Sequence, residues 1–309
     1  MSIDPDTFLT GLYVTIDEYC KAHPAPPRGR GRTASLDRSE VVTLALYGQW
    51  ARFASEHDFY RHADRHLREA FPGLPTRSQL NRLIRAQYAT IVAVGHFLAD
   101  RLGAGEAPYE VLDATAAPVR NVKRRGGGWL PEYVTCGWSG RLGWYEGFHI
   151  LVAATPKGVI TGYGVGPADA KDQPLAEGFF AARATGDPRL PTAGRATRAP
   201  YLTDSGFIGA QRHAHWLAAY GAHVICPPYR SATRNWPKAL RRWLAGHRQI
   251  IESVNAKLLH TFRLDRERPH ELGGFHTRLA AKVALHNFCC WLNRQLGRPT
   301  LAFADLIVW

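Results

Sequence analysis

Long apolar runs are missing from this chain of 309 residues. No stretch approaches the roughly 18 uninterrupted apolar residues of a spanning helix, so no membrane partner is expected. The opening MSIDPDTFLTGLYVTIDEYC lacks a basic segment followed by an apolar one, so no secretory signal is expected. Cysteine is sparse: Cys20, Cys136, Cys226, Cys289 and Cys290 are odd in number and contain no CxxC pair. A disulfide framework and a zinc knuckle are both unsupported, and buried reduced thiols are expected. His270, His276 and His286 are spaced by six and ten residues, which does not put them on one helix face as metal ligands. No GxxxxGK[ST] phosphate loop occurs, so ATP-driven chemistry is not expected. Acidic residues are few. Against 39 Lys+Arg stand 26 Asp+Glu, a net charge of +13 with a pI near 9.8. Lysine is scarce within that surplus, since seven lysines leave 32 arginines. Arginine forks match phosphate and stack on flat rings, so the balance points to nucleic acid.

What is present divides into two parts. Residues 1–104 read as helical: a first helix over 1–20 with Phe8, Leu12, Ile16 and Tyr19 in phase, then a linker rich in Pro, Gly and Arg. Asp37 and Glu40 form the signature of a capping box at the start of the next helix. A further helix is expected over Glu56–Phe71, then a Pro-Gly turn, a Thr76 cap and one long amphipathic helix. That arrangement resembles a helix-turn-helix. Arg77, Gln79 and Arg82 on it are candidate DNA contacts.

Residues 105–309 read as a mixed α/β domain. YEVLDAT, YVTCGW and HILVAAT–PKG–VITGYGV predict three or more early strands, the last two as a hairpin. A helix from Asp172 with Leu175, Phe179 and Ala182 on one face follows. Then come a strand in APYLTDSGF, a helix in QRHAHWLAAY, a strand in AHVICPP, a helix from Pro237 to about Phe262 and a last helix over Gly274–Leu296. Antiparallel strands followed by parallel ones with helices is the RNase H-like order.

Asp113 is expected at the centre or end of the first strong strand and Asp204 at the end of another short apolar strand, where a carboxylate is costly unless paired or bound to a cation. Carboxylates at adjacent strand ends suit Mg²⁺. Glu252 is the third candidate. Between Ser205 and Trp309 there are 15 Lys+Arg and five Asp+Glu, so a glutamate there is conspicuous. Arg248 lies four residues earlier and would otherwise form an ordinary helix pair with it. The basic loop of Arg120, Lys123, Arg124 and Arg125, together with Arg248 and Lys257, supplies further candidate DNA contacts. Asp169 and Asp172 read as loop or helix-cap residues, His149 as a core histidine, and Trp129, Trp138 and Trp144 as core aromatics.

The segments SLDRSEVVTLALYGQW, RSQLNRLIR, VLDATAAPV, GFHILVAATPKGVITGYGVGPADAKD, YLTDSGFIG, HRQIIESVNAKL and TRLAAKVALHNFCCWLN span roughly residues 30–295. In their order and spacing they resemble the DDE transposases of bacterial insertion sequences, in the group named nine-eighty-two or a close neighbour. The resemblance implies a helical DNA-binding domain over 1–104 and an RNase H-like catalytic domain over 105–309. It implies Asp113, Asp204 and Glu252 as a triad for Mg²⁺ or Mn²⁺. It also implies cutting of transposon DNA ends and joining of the 3′-hydroxyl to target DNA, a homodimer that pairs two ends, and a bacterial cytoplasmic, nucleoid-associated setting. The chain departs from relatives in three places: Leu259 stands where a lysine is frequent, Ala245 where a tyrosine is, and Ser205 where a lysine follows the second aspartate. Two alternatives stay open: a catalytically decayed or domesticated DNA-binding protein, and a metal-dependent nuclease without strand transfer.

Overall fold

The computed structural model describes residues 2–25, 34–120, 130, 132–192, 199–229 and 235–309. The linker arginines Arg28, Arg30 and Arg32, the loop residues Lys123, Arg124 and Arg125, and Trp129 lie outside the described residues, as does the side chain of Arg120.

Asp4 starts the first helix, α1 (Pro5–Ala22), by accepting the N–H groups of Asp6 and Thr7. Phe8, Leu12 and Ile16 form its buried stripe, as their spacing predicts. The Asp37–Glu40 capping box opens α2 (Arg38–Tyr47), with both reciprocal bonds at 2.7 Å. Ser55 caps α3 (Glu56–His66), which ends five residues before the expected Phe71. The predicted long helix is two helices, α4 (Arg77–Ala86) and α5 (Tyr88–Arg101), broken at Gln87. Composition explains the break. On α4 only Leu80 is fully buried and the rest is rich in arginine, whereas α5 buries Ile91, Val92, Val94 and Leu98. One straight rod could not keep the first half at the surface and sink the second.

Among the described residues six strands form one sheet. The central strand β1 (Glu110–Arg120) pairs antiparallel with β3 (Gly143–Ala154), placing Asp113 opposite Val152. The far edge of β3 carries β2 (Thr135–Ser139) along its first half and β4 (Ile160–Pro167) along its second. On the other side of β1, β5 (Tyr201–Leu202) and β6 (Val224–Ile225) add parallel. This is the α/β RNase H-like order the sequence predicts. Around it lie α6 (Asp172–Ala184), α7 (Ala210–Tyr220), α8 (Lys238–Ala256), continued by a π turn over Lys257–Thr261, and α9 (Leu272–Gln295).

Alternation along β1 divides the core. Leu112 joins Phe179, Phe180 and Trp216 of α6 and α7 on one face of the sheet. Val111, Ala117 and Val119 join the other face, where α8, α9 and the N-terminal helices pack as one apolar cluster. That cluster runs across residue 104. Helix α9 is buried nearly all round, and its fully buried Lys282 reaches Glu267 and Gln49, each at 2.7 Å. The predicted face of α6 is off by one residue. Ala176, Phe179, Phe180 and Arg183 face inward, because Arg183 forms a buried pair with Glu110 of β1 at 2.6 Å. Trp138 and Trp144 correct the core expectation: they are 64% and 67% exposed. They face each other across β2 and β3 where that pair extends past the core. Cys136 is also exposed, so only Cys289 and Cys290 are the buried thiols expected. Among the described residues no helix is long and apolar enough to cross a membrane.

Candidate active site

Strand register brings two carboxylates level. Val111 of β1 pairs with Leu202 of the parallel strand β5. Asp113 stands two residues beyond Val111 and Asp204 two beyond Leu202, so both continue on the same face of neighbouring chains. That face is the one covered by α8, which anchors through Leu244, Ile251 and Val254. From α8, Arg248 points its guanidinium between them. One nitrogen lies 3.6 Å from Asp113 Oδ1 and 4.0 Å from Asp204 Oδ2. The ordinary helix pair between Arg248 and Glu252, the alternative to a metal site, is not formed among the described residues; the cation lies between Asp113 and Asp204 instead. The Nε of Arg248 is buried without a partner among the described residues. Asp204 is fixed at its other oxygen, which accepts the N–H of Gly206 at 2.7 Å.

The site is short of positive charge. Burial pushes the Asp113 carboxyl up to about 7; Arg248 opposes the shift, and Asp204 and Asp172 add to it. Asp172 is the residue that a local reading misplaces. It does not cap its helix: the N-cap of α6 is Lys171, and no side-chain cap bond forms there. Its carboxyl instead stands beside Gly206, where a Cβ would meet Asp172 Oδ2 at 2.4 Å and Asp204 Oδ1 at 2.9 Å. Burial raises the Asp172 pKa, His149 lowers it, and Asp204 raises it. His149 joins this edge through an Nε2 that is 3.7 Å from Asp172 Oδ1, while its Nδ1 is bonded to the carbonyl of Ala170 at 2.9 Å. Asp169 holds a loop, as anticipated, accepting the Thr135 hydroxyl at 2.8 Å. The glycine two residues after Asp204 was the available signal, since it marks a close approach of other groups to the backbone.

Glu252 lies one helical turn beyond Arg248, exposed and without a partner among the described residues. Among those residues no three His, Cys, Asp or Glu side chains come together closely enough to hold a metal ion.

Residues 110–288 match the family described as Transposase DDE domain, more than half of the chain. The chain belongs to the DDE transposases. No curated protein and no solved structure matches it. Membership implies divalent-metal use and DNA binding. The transposase suits such an ion in its donor set, because Asp113 and Asp204 offer hard oxygen ligands and already share one cation, the Arg248 guanidinium.

The other anticipated DNA contacts scatter over the transposase. Arg77 opens α4 and is exposed. Gln79 turns its side-chain oxygen back to the Thr76 N–H and hydroxyl, at 3.3 and 3.0 Å. Arg82 is exposed and donates to the Ser78 carbonyl. Lys257 lies over the ring of Phe303, 5.6 Å from its centroid.

Proposed function

We propose that this transposase cuts the ends of an insertion sequence and joins the freed 3′-hydroxyl to target DNA, using Mg²⁺ held by Asp113, Asp204 and Glu252. The observation that carries the reading is the pair of level carboxylates, Asp113 on β1 and Asp204 just after β5, sharing one guanidinium. A chain that sets a buried carboxylate beside a second, half-exposed one with a single guanidinium between them is disposed to take up a cation. A bound pair of divalent ions neutralises charge on the attacked phosphoryl group and lowers the pKa of the attacking water. Asp113 and Asp204 bind from the rigid sheet. Glu252 closes the set from α8. Arg248 balances the carboxylates between cycles and offers its fork to a phosphate when they are engaged. Residues 1–104 act as the DNA-binding domain. Arg77, Gln79 and Arg82, with Arg120, Lys123, Arg124, Arg125 and Lys257, contact the duplex, and two copies pair two transposon ends as a homodimer at the nucleoid.

The test uses purified protein and labelled duplexes carrying the ends that flank its gene. The native chain is expected to nick and join them only with Mg²⁺ or Mn²⁺. Asp113→Asn, Asp204→Asn and Glu252→Gln are each expected to abolish both products while DNA affinity stays within a few-fold. Full cleavage by all three variants refutes the site. Binding of the ends with no cut by the native chain favours a decayed or repurposed DNA-binding protein. Nicking without joining favours a nuclease.

A further inference from the structure

A second site lies away from the acidic one. A cleft of about 430 Å³ opens between α3, α4 and the chain that follows α8. Five arginines line it (Arg77, Arg263, Arg266, Arg268 and Arg278) against two glutamates, Glu56 and Glu267. The glutamates are already engaged. Glu267, buried in the floor, takes Arg278 Nε at 2.6 Å and Lys282 at 2.7 Å. Glu56 takes a terminal nitrogen of Arg278 at 2.7 Å. Buried Arg263 is held by the carbonyls of Phe53 and Gly48. Those bonds leave a fixed floor and three exposed arginines around it, Arg77, Arg266 and Arg268, with no acidic partner among the described residues. Arg268 spends one nitrogen on the Glu267 carbonyl and keeps the rest of its fork. The first turn of α4 adds a donor. The N–H of Ser78 has no acceptor among the described residues, while that of Gln79 faces the Thr76 side chain in the capping box that opens the helix.

Two free guanidinium forks, most of a third and the Ser78 N–H in one concave site fit an anion with several oxygens. We propose that this cleft seats backbone phosphates of duplex DNA, fastening the duplex to the N-terminal helices and to the catalytic half at once. The inference rests on the transposase reading for its choice of DNA. It assigns Arg77 and the start of α4 to the phosphate backbone, not to base edges. Because phosphates carry no sequence, the contribution is the same for any duplex. The wall formed by residues 263–268 continues from the C-terminal end of α8, the helix that carries Arg248 and Glu252. Duplex held in the cleft is therefore held against the same stretch of chain that borders the acidic site.

The experiment measures anisotropy of a labelled random-sequence duplex with the full chain, across about 50–200 mM salt. The triple variant Arg77→Gln, Arg266→Gln, Arg268→Gln is expected to bind about tenfold or more weakly on every sequence. Its salt slope is expected to fall by roughly two to three. Affinity and slope equal to native overturn the proposal. A second measurement needs no variant: phenylglyoxal labelling of the native chain, read by mass spectrometry. Duplex should protect Arg77, Arg266 and Arg268 and leave Arg189, which is engaged with Asp187 elsewhere, labelled as in the free protein. Unprotected cleft arginines overturn the proposal, and so does protection by inorganic phosphate but not by duplex. If the native chain protects these arginines yet cuts no DNA end, the cleft stands and the transposase reading falls. If the triple variant keeps native binding and still cuts, the reverse holds.

Discussion

Asp113 is held in the fold at a cost, and that cost has a pH signature. Its carboxyl titrates near 7 in the folded chain against 3.8 when free. Below about 4 both the folded and the unfolded chain carry the proton, and nothing is lost. Between those values the folded chain keeps a proton that the unfolded chain has released, so stability falls as pH rises. Above 7 the whole penalty is present. Asp113→Asn should therefore stabilise the metal-free protein by roughly 2 to 4 kcal/mol at pH 8 and by almost nothing at pH 4, read from urea unfolding. An equal gain at both pH values would mean that the charge is not the source of strain. Gly206 tests the same site without touching a carboxylate. Gly206→Ala drives a methyl into Asp172 and Asp204, whose side chains can swing away. Mn²⁺ affinity should fall several-fold while the thermal midpoint stays within about 2 °C; unaltered Mn²⁺ binding would place the metal elsewhere. Asp113 and Asp204 are legible in the sequence because a carboxylate inside or at the end of a short apolar strand needs a partner. Asp172 is not, because its partners come from β3 and from the turn after β5, and local reading sees only a helix start.

Elements that carry their own signals match the expectation from sequence. The Asp37–Glu40 box, the hairpin of β3 and β4 and the long C-terminal helix follow from capping, turn chemistry and periodicity. The errors share one cause, which is tertiary demand. The chain bends at Gln87 because α5 must enter the core beside α9 while α4 stays outside. Helix α6 turns by one residue because Arg183 seeks Glu110. Trp138 and Trp144 lie outside because β2 and the start of β3 run past the core. The floor formed by Glu267, Arg278 and Lys282 could not be seen from sequence spacing at all, since it joins a short turn to α9. Two cations hold the Glu267 carboxyl well below the usual range despite complete burial. Removing it strands buried Arg278 and Lys282, so Glu267→Ala should cost about 3–5 kcal/mol in chemical unfolding. A loss below about 1 kcal/mol would show that the network relaxes freely.

At the scale of the whole molecule, a basic chain surrounds a small acidic centre. The surplus of +13 suits a polyanion over its surface, while Asp113, Asp204 and Asp172 gather acidic groups at the edge of the sheet, where we place the metal. Composition made the first half of that contrast legible. The second half needed the fold, because residues 113 and 204 are distant in sequence and meet only through the parallel pairing of β1 with β5. In the proposed reaction Asp113 binds the ion required for DNA cutting. Its most direct test is a change of ligand hardness: cleavage of a labelled DNA end by Asp113→Cys, compared in Mg²⁺, Mn²⁺ and Cd²⁺. Oxygen ligands suit Mg²⁺ and thiolates suit softer ions. The account predicts no cutting in Mg²⁺ and recovery in Mn²⁺ or Cd²⁺. Unimpaired cutting by this variant in Mg²⁺, or cutting by the native chain with every divalent ion chelated, would contradict it.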